Sequence, residues 1–501
     1  MNNSHINNYH KKAIDYVNKN DFSSSIDIYK KILNEPLNLI DKNKYLFQLG
    51  SDYEKNNDHY QAIVECYIII IQTEPNNGVV LNQIGVCYSN LGQFKLAIHY
   101  FKKVLKIKEI SHVYCHVYCN IGICCESMKD YDLAEINFLK AFNLDSNNYK
   151  INYSLANIYY ILKRYDKAIE YYNKIKEYKT DPNLKYNSSF SYLAKKNFKK
   201  GFELYENRLK YNNINPQTKL IERLEIPSIK LWNGKDKCNK LLIIAEQGFG
   251  DNIQYYRFIV ELSNLYPNMI IHYFCKKELS HLFKIYNKIE IIDNVILNSD
   301  NNPLINYNYK IYIMSLPSIL NLNIIYPNKV NYINKDESKL NYWKEQFTCF
   351  KKYKVGFVFK GLVSSFIEKN IPLINFEILS QLDIELICIH KKSTIEEDII
   401  NLPDNLKDKI HFYEIDNEKP FVDTIHILQN IDLLITIDTY IVHLAGILNI
   451  KTWLLLGYYS EWRWCNEDTT YWYNSVELIR MKEKKDLKNI LEIVKTKLLS
   501  T

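Results

Sequence analysis

A small residue returns at a regular interval through the first two hundred positions of the chain, at Gly50, Gly85, Gly122, Ala156 and Ser189. A second follows each of them twelve positions later, at Ala62, Ala97, Ala134, Ala168 and Gly201. Neighbouring units lie roughly 34 residues apart, and a repeat of that length buries its apolar face only by stacking on its neighbours. The rings keep the same register. Tyr53, Tyr88, Tyr159 and Tyr192, with Cys125 in their series, stand three after the first small position. Phe101, Phe138, Tyr172 and Tyr205, with Cys66, stand four after the second. The pattern predicts helical hairpins in which small residues let two helices approach and rings fill the gaps between neighbouring hairpins.

The turn and second helix are clearest in "NLGQFKLAIHYFKKVL" and "ILKRYDKAIEYYNKI"; Pro75 closes one unit, and a weaker first unit keeps Ala13, Ser25 and Tyr29 in register. These segments resemble tetratricopeptide (TPR) repeats, about six of them over residues 6–212. The resemblance implies an α-solenoid whose concave groove holds a peptide or protein segment.

After "YENRLKYNNINPQTK" the helical period fades, and residues 213–238 read as a linker with turn residues. Beyond it, short apolar runs at 240–245, 269–274, 309–314, 353–359, 384–390, 432–437 and 452–457 read as strands. Helical patterns lie between several of them, at 251–265, 421–430, 440–448 and 487–498. Strands alternating with helices predict parallel sheets covered on both faces. A break near 330–352 divides the region into two α/β halves, 239–345 and 353–501. The expected fold class is therefore α plus α/β, and ligands are expected beyond the carboxyl ends of the strands, in the cleft between the halves.

Lys and Arg number 64 against 57 Asp and Glu, a net charge of +7 without a polybasic block, which argues against a nucleic-acid partner. The N-terminus has no apolar signal region, and the longest aliphatic run, Ile68–Ile71, is far too short for a transmembrane segment. A soluble cytoplasmic protein with reduced cysteines is the expectation. No metal or other cofactor is expected. The D-x-D at Asp130–Asp132 falls at a repeat turn, and "CHVYC" with Cys124 and Cys125 lacks zinc-ligand spacing.

With only 13 Gly in 501 residues, a glycine cluster is informative. "LLIIAEQGFGDNIQYYRF" (241–258) reads as a buried strand, a turn through Gln247, Gly248 and Gly250, and a helix. It is not a dinucleotide fingerprint, because Ile253 stands where the third glycine belongs. Asp251 either caps the helix or acts as a general base at the mouth of a cleft. In "DLLITIDTYIVHLAGIL" a strand ends at Asp438–Thr439 and a helix begins at once, so its free N–H groups and the Thr439 hydroxyl can hold a diphosphate. His443, four after Thr439, falls on the same helix face.

The C-terminal region resembles glycosyltransferases of the heptosyltransferase-like (family 9-like) group, in particular proteins that join TPR repeats to such a domain. The resemblance rests on "DTYIVHLAG" with the later "EWRW" (Glu461–Trp464), on "EQGFGDNIQYYRF" and on "FKKGFELYENRLK". It implies a two-lobed GT-B-like region that moves a sugar from a nucleotide diphosphate donor to a hydroxyl of a protein or glycan, without a metal and with inversion. It also implies that Asp251 is the catalytic base and that Asp438, Thr439 and His443 hold the donor diphosphate. Lys369 occupies the family's basic place before Ile-Pro-Leu and would offset leaving-group charge. Arg463 would do similar work or stack between Trp462 and Trp464. Two departures stand out: Tyr440 replaces a small residue near the phosphates, and the loop 360–370 lacks most of the family's basic residues. They leave a second expectation, a TPR adaptor whose glycosyltransferase-like region does not turn over. A third expectation is a protein O-glycosyltransferase that feeds peptide from the TPR groove into the cleft.

Overall fold

The computed structural model describes residues 3–210, 229–283, 288–292, 307–327, 331–361, 369–415, 419–481, 483 and 489–500. The chain divides into two compact units, Met1–Tyr178 and Lys179–Thr501.

The first unit is a run of helical hairpins. Their first helices are Asn3–Asn18, Leu39–Lys55, Gly78–Asn90, Tyr114–Ser127 and Tyr149–Ile161. The second helices include Phe22–Leu33, Phe94–Val104, Tyr131–Leu144 and Tyr165–Lys174. Each hairpin turn places one residue in the left-handed region: Asn20, Asn57, Gly92, Lys129 and Lys163. Such a residue ends a helix by letting its last carbonyls find donors, and only Gly92 does so without a Cβ penalty. Capping follows the sequence as well. Asn38, Asn77 and Asn148 accept from first-turn N–H groups of first helices, and Asp21 and Asp130 do the same for second helices. Asp130 of the D-x-D thus has a structural task.

The small residues act as the repeat predicts. A Cβ on Gly85 would stand 2.5 Å from Phe101, and one on Gly122 would stand 2.6 Å from Phe138. At Gly50 the ring opposite is Tyr67, not the residue at the register position, Cys66. The physical reason is a π-helical stretch, Ala62–Tyr67, whose wider turn moves the facing side chain on by one residue.

The second unit starts with one more hairpin, Pro182–Ala194 and Phe198–Tyr205, again with a left-handed residue (Lys196) in its turn. Two all-parallel sheets follow. The first holds β1 (Lys240–Ile244), β2 (Ile270–Phe274), β3 (Ile289–Ile292) and β4 (Tyr309–Tyr312), in the order β3-β2-β1-β4. The second holds β5 (Tyr353–Val358), β6 (Ile384–Lys391), β7 (Ile410–Tyr413), β8 (Leu433–Ile437), β9 (Thr452–Leu456) and β10 (Val476–Arg480), in the order β10-β9-β8-β5-β6-β7. Counted within each sheet, the first is 3-2-1-4 and the second is the doubly wound 3-2-1-4-5-6. Strand order therefore reverses between β1 and β4, and again between β5 and β8. Crevices open beyond the carboxyl ends of the strands at such switch points.

The stretch read as a linker over 213–238 lies partly outside the described residues. Its later part runs beside β4, with Trp232 N donating to Lys310 O (2.8 Å) and Lys310 N to Lys230 O (2.9 Å). The helix Glu337–Gln346 packs on the second sheet's helix Pro420–Leu428, where Trp343 Nε1 donates to Asp423 Oδ1 (2.8 Å) and Lys339 pairs with the same carboxylate (3.1 Å).

Candidate active site at the facing strand ends

The first switch point carries the 245–251 turn. After β1 the chain reaches Glu246, then Gln247 at φ +64°, then Gly248, which precedes the helix Phe249–Leu265. Glycine is the usual residue at a left-handed turn position, yet Gly248 sits at φ −84° and the left-handed residue is Gln247. Asn252 clamps the turn, its amide donating to Glu246 O (2.8 Å) and Gly248 O (2.7 Å) while accepting from the Tyr273 hydroxyl (2.8 Å).

Gly250 has a different task. A Cβ there would stand 3.1 Å from His443 Cδ2 and 3.5 Å from Tyr440 Cα, so its absence lets the starts of two helices, Phe249–Leu265 and Tyr440–Ile447, come together.

Glu246 is tied into the interior. It is buried, and it accepts from Arg208 Nη2 (2.5 Å), Arg208 Nε (3.3 Å) and Met314 N (3.1 Å). Arg208, equally buried, also donates to Ser315 Oγ (2.8 Å) and Glu206 Oε1 (2.7 Å). Burial pushes the Glu246 carboxyl up, against the pull of Arg208 and the Met314 N–H. Burial works against the Arg208 charge too, but Glu246 and Glu206 hold it well above its ordinary value. Sequence reasoning missed Arg208. Its only signal was an arginine in the tail of the last repeat, "ENRLK", within reach of an acid at a strand end.

At the second switch point β8 runs into Asp438 and Thr439. Thr439 caps its own helix, accepting from Ile441 N (3.4 Å). Gly361, past the end of β5, brings the loops together. A Cβ there would stand 2.9 Å from Thr439 Cγ2 and 3.9 Å from Lys369 Cε. Asn370 fixes that loop by accepting from Gly361 N (2.9 Å). Lys369 thus stands beside the Thr439 helix start. Of the basic-poor loop 360–370, residues 362–368 lie outside the described residues, and Lys360 is paired with Asp398. Burial, reinforced by Glu461, pushes the Asp438 carboxyl up to about 6, while Trp464, Arg463 and Lys369 pull it down.

His443 is buried in the seam between the two helix starts. Its Nδ1 lies 3.0 Å from the Tyr473 hydroxyl and its ring stacks on Trp464 (centroids 5.7 Å, 17°). Burial and Arg463 lower its pKa to about 3, so it is neutral at ordinary pH and packs the seam instead of presenting charge. Tyr440 turns its ring edge-on to Phe421 (5.3 Å), which meets Phe249 of the first half in the same way (5.3 Å).

Arg463, in the 3₁₀ turn Trp462–Trp464 that follows β9, joins the two switch points. Its Nη2 donates to Asp251 Oδ1, its Nε to Gln254 Oε1 (3.1 Å) and its Nη1 to Glu461 Oε2 (2.7 Å). The guanidinium lies over Trp462 (5.3 Å). Trp464 is taken up by His443, so Arg463 stacks on one indole and not between two. Asp251 has both oxygens engaged, because Oδ2 accepts from Gly248 N (3.1 Å) as a helix cap. Asp251, Asp438, Thr439, Lys369 and Arg463, picked from four separate stretches of sequence, thus share one neighbourhood. The preceding hairpin backs it: Phe202 meets Trp462 (6.2 Å), Phe198 meets Tyr471 (5.1 Å) and Lys196 pairs with Glu467 (2.6 Å).

Among the described residues no helix is long and apolar enough to cross a membrane. Residues 79–109 match one tetratricopeptide-repeat family model, and residues 116–148 and 149–182 match another. The chain is 29% identical over 137 residues to the BBSome complex member BBS4 of Bos taurus, a match covering 27% of this chain and 25% of that protein. It is 21% identical over 255 residues to a TPR repeat-containing protein of Methanocaldococcus jannaschii, covering 49% of this chain and 43% of that protein. The chain therefore spans less than half the length of each of these relatives. Among solved structures, MamA from Desulfovibrio magneticus aligns at 16% identity and a TM-score of 0.31, over 35% of this chain and 94% of that one. A tetratricopeptide repeat protein from Parabacteroides merdae aligns at 16% identity and a TM-score of 0.33, over 52% of this chain and 87% of that one. On the strength of the repeat register and the family matches, the N-terminal part of this chain is built of tetratricopeptide repeats.

Proposed function

We propose that the second unit is a GT-B-like glycosyltransferase that moves a sugar from a nucleotide diphosphate donor to a hydroxyl of a protein or glycan, and that the TPR array recruits the partner or acceptor. The observation that carries this reading is the meeting of Asp251, from the switch point of one parallel sheet, with Lys369, Asp438, Thr439 and Arg463 at the switch point of the other. The Thr439 helix start, Lys369 and Arg463 supply donors and positive charge for a departing diphosphate. Asp251 is the proton acceptor for the attacking hydroxyl, and attack in line with the leaving diphosphate inverts the anomeric carbon. His443, neutral and packed against Gly250, sets the spacing of the two helix starts.

The test is release of nucleoside diphosphate by the full-length chain from a panel of nucleotide sugars, with and without acceptors. Removing a general base costs about 10²–10⁴-fold. Asp251→Asn is therefore expected to lose at least a hundredfold in turnover at saturating donor, and unchanged turnover would overturn the assignment.

A second reading, a TPR adaptor with a non-catalytic glycosyltransferase-like region, is favoured by the engagement of both Asp251 oxygens and by Tyr440 at the helix start. Binding of donors without hydrolysis or transfer across the panel would select it.

A further inference from the structure

Arg463 is fully committed in this structure. Each of its nitrogens reaches a partner, two of them carboxylates. Its side chain is only 14% exposed, and that of Asp251 only 22%. Among the described residues, the immediate surroundings hold three carboxylates, Asp251, Glu461 and Asp438, against two cations, Arg463 and Lys369. Asp251 and Gln254, three apart on one helix, present a socket to the guanidinium from the first half, while Glu461 tethers it from the second. The socket leaves Gln254 Nε2 buried without a hydrogen-bond partner. With Oδ1 taken by Arg463 and Oδ2 by Gly248 N, Asp251 offers no unengaged oxygen to an acceptor hydroxyl. A base in that condition needs its counter-ion taken away before it can work.

We propose that Arg463 is an exchangeable counter-ion: a nucleoside diphosphate arriving at the Thr439 helix start draws the guanidinium off Asp251, so that its Oδ1 is freed for the acceptor hydroxyl only when the donor site is filled. The inference rests on the donor-site reading above. A guanidinium matches a phosphate's oxygens two at a time, and a diphosphate carries more charge than the single carboxylate it displaces. Arg463 already lies within electrostatic reach of Asp438 at that helix start. The consequence is an order: donor first, acceptor activation second.

The experiment is titration calorimetry on the full-length chain with uridine, guanosine and adenosine diphosphates. It compares wild type, Asp251→Asn, Arg463→Met and the double variant. Asparagine keeps an acceptor for Gly248 N and removes both the charge and the oxygen that compete for Arg463. Asp251→Asn is expected to bind at least one diphosphate about tenfold more tightly than wild type, with no such gain in the Arg463→Met background. Equal affinity in wild type and Asp251→Asn overturns the exchange while leaving the donor site standing. A gain that persists without Arg463 also overturns it, since simple repulsion then explains the effect. No binding of any diphosphate to wild type or Asp251→Asn overturns the donor-site reading itself. Glu461→Gln, which loosens the other carboxylate tether, is expected to tighten binding in the same Arg463-dependent way, and it decides the matter where Asp251→Asn does not fold.

Discussion

Replacing Arg208 by methionine tests how the last helical hairpin is held to the first sheet. The side chains of Arg208 and Glu246 are 2% and 3% exposed, so the substitution strands a carboxylate that keeps one backbone donor, Met314 N. It also removes the Ser315 and Glu206 bonds and the contact of the guanidinium with the Tyr205 ring (4.9 Å). Breaking a buried pair from one side costs about 3–5 kcal/mol, whereas replacing both partners by apolar residues is often close to neutral. Arg208→Met is therefore expected to lose about 4 kcal/mol, a large share of the roughly 5–15 kcal/mol that holds a domain. Arg208→Met with Glu246→Leu is expected to recover most of it.

Tryptophan emission during urea unfolding measures this selectively, because all 6 Trp of the chain lie in the second unit. With a urea slope of roughly 3 kcal/mol/M, the single variant should unfold about 1.3 M earlier than wild type. A shift under about 0.3 M, or a double variant as damaged as the single one, would show that the pair does not anchor the hairpin.

Other consequences follow from burial and close contact. His443 is held neutral with a pKa of about 3, below the ordinary 6.5. The native state therefore binds fewer protons than the unfolded chain in acid, and the stability this contributes is complete above about pH 6.5 and is lost as the pH falls toward 3. Tryptophan-detected unfolding should lose up to about 1.4 kcal/mol per pH unit through this group. His443→Gln should flatten that slope, and an unchanged slope refutes the assignment. Gly446→Ala would put a Cβ 2.3 Å from Cγ of the buried Tyr473, an overpacking expected to cost about 3 kcal/mol in the same assay. Gly92→Ala meets nothing within 4 Å but sits at φ +73°, so strain alone should cost about 1–2 kcal/mol. It should lower the far-UV circular dichroism midpoint of the first unit and leave tryptophan emission unmoved.

The residues that sequence reading located are those whose signal is local. Hairpin periodicity survives because each repeat packs mainly against itself and its neighbours. Interior strands such as β8 and β9, buried along their whole length, announce themselves as unbroken apolar runs. The strands it missed, β3, β7 and β10, are all at sheet edges. There only part of each strand is covered, as in β7, where a single residue is fully buried, and the apolar run breaks up. The candidate residues at the β8 and β1 ends were legible because strand-to-helix turns carry distinctive residues. Their mutual relations were not. That His443 is neutral follows from its burial, beside Trp464 and Tyr473, and from the Arg463 charge, and nothing in its own segment encodes that environment.

The sequence by itself determined the period of the repeats and the parallel strands buried in the sheet interiors, because each depends on side chains a turn or a strand apart. Tertiary structure alone decided which acid does what. Glu246 and Asp251 lie five residues apart, on one turn, yet one is locked to Arg208 in the interior while the other faces Arg463, 212 residues away in the chain. Coulomb energy depends on distance in space and on exclusion of water, neither of which is written in a local pattern.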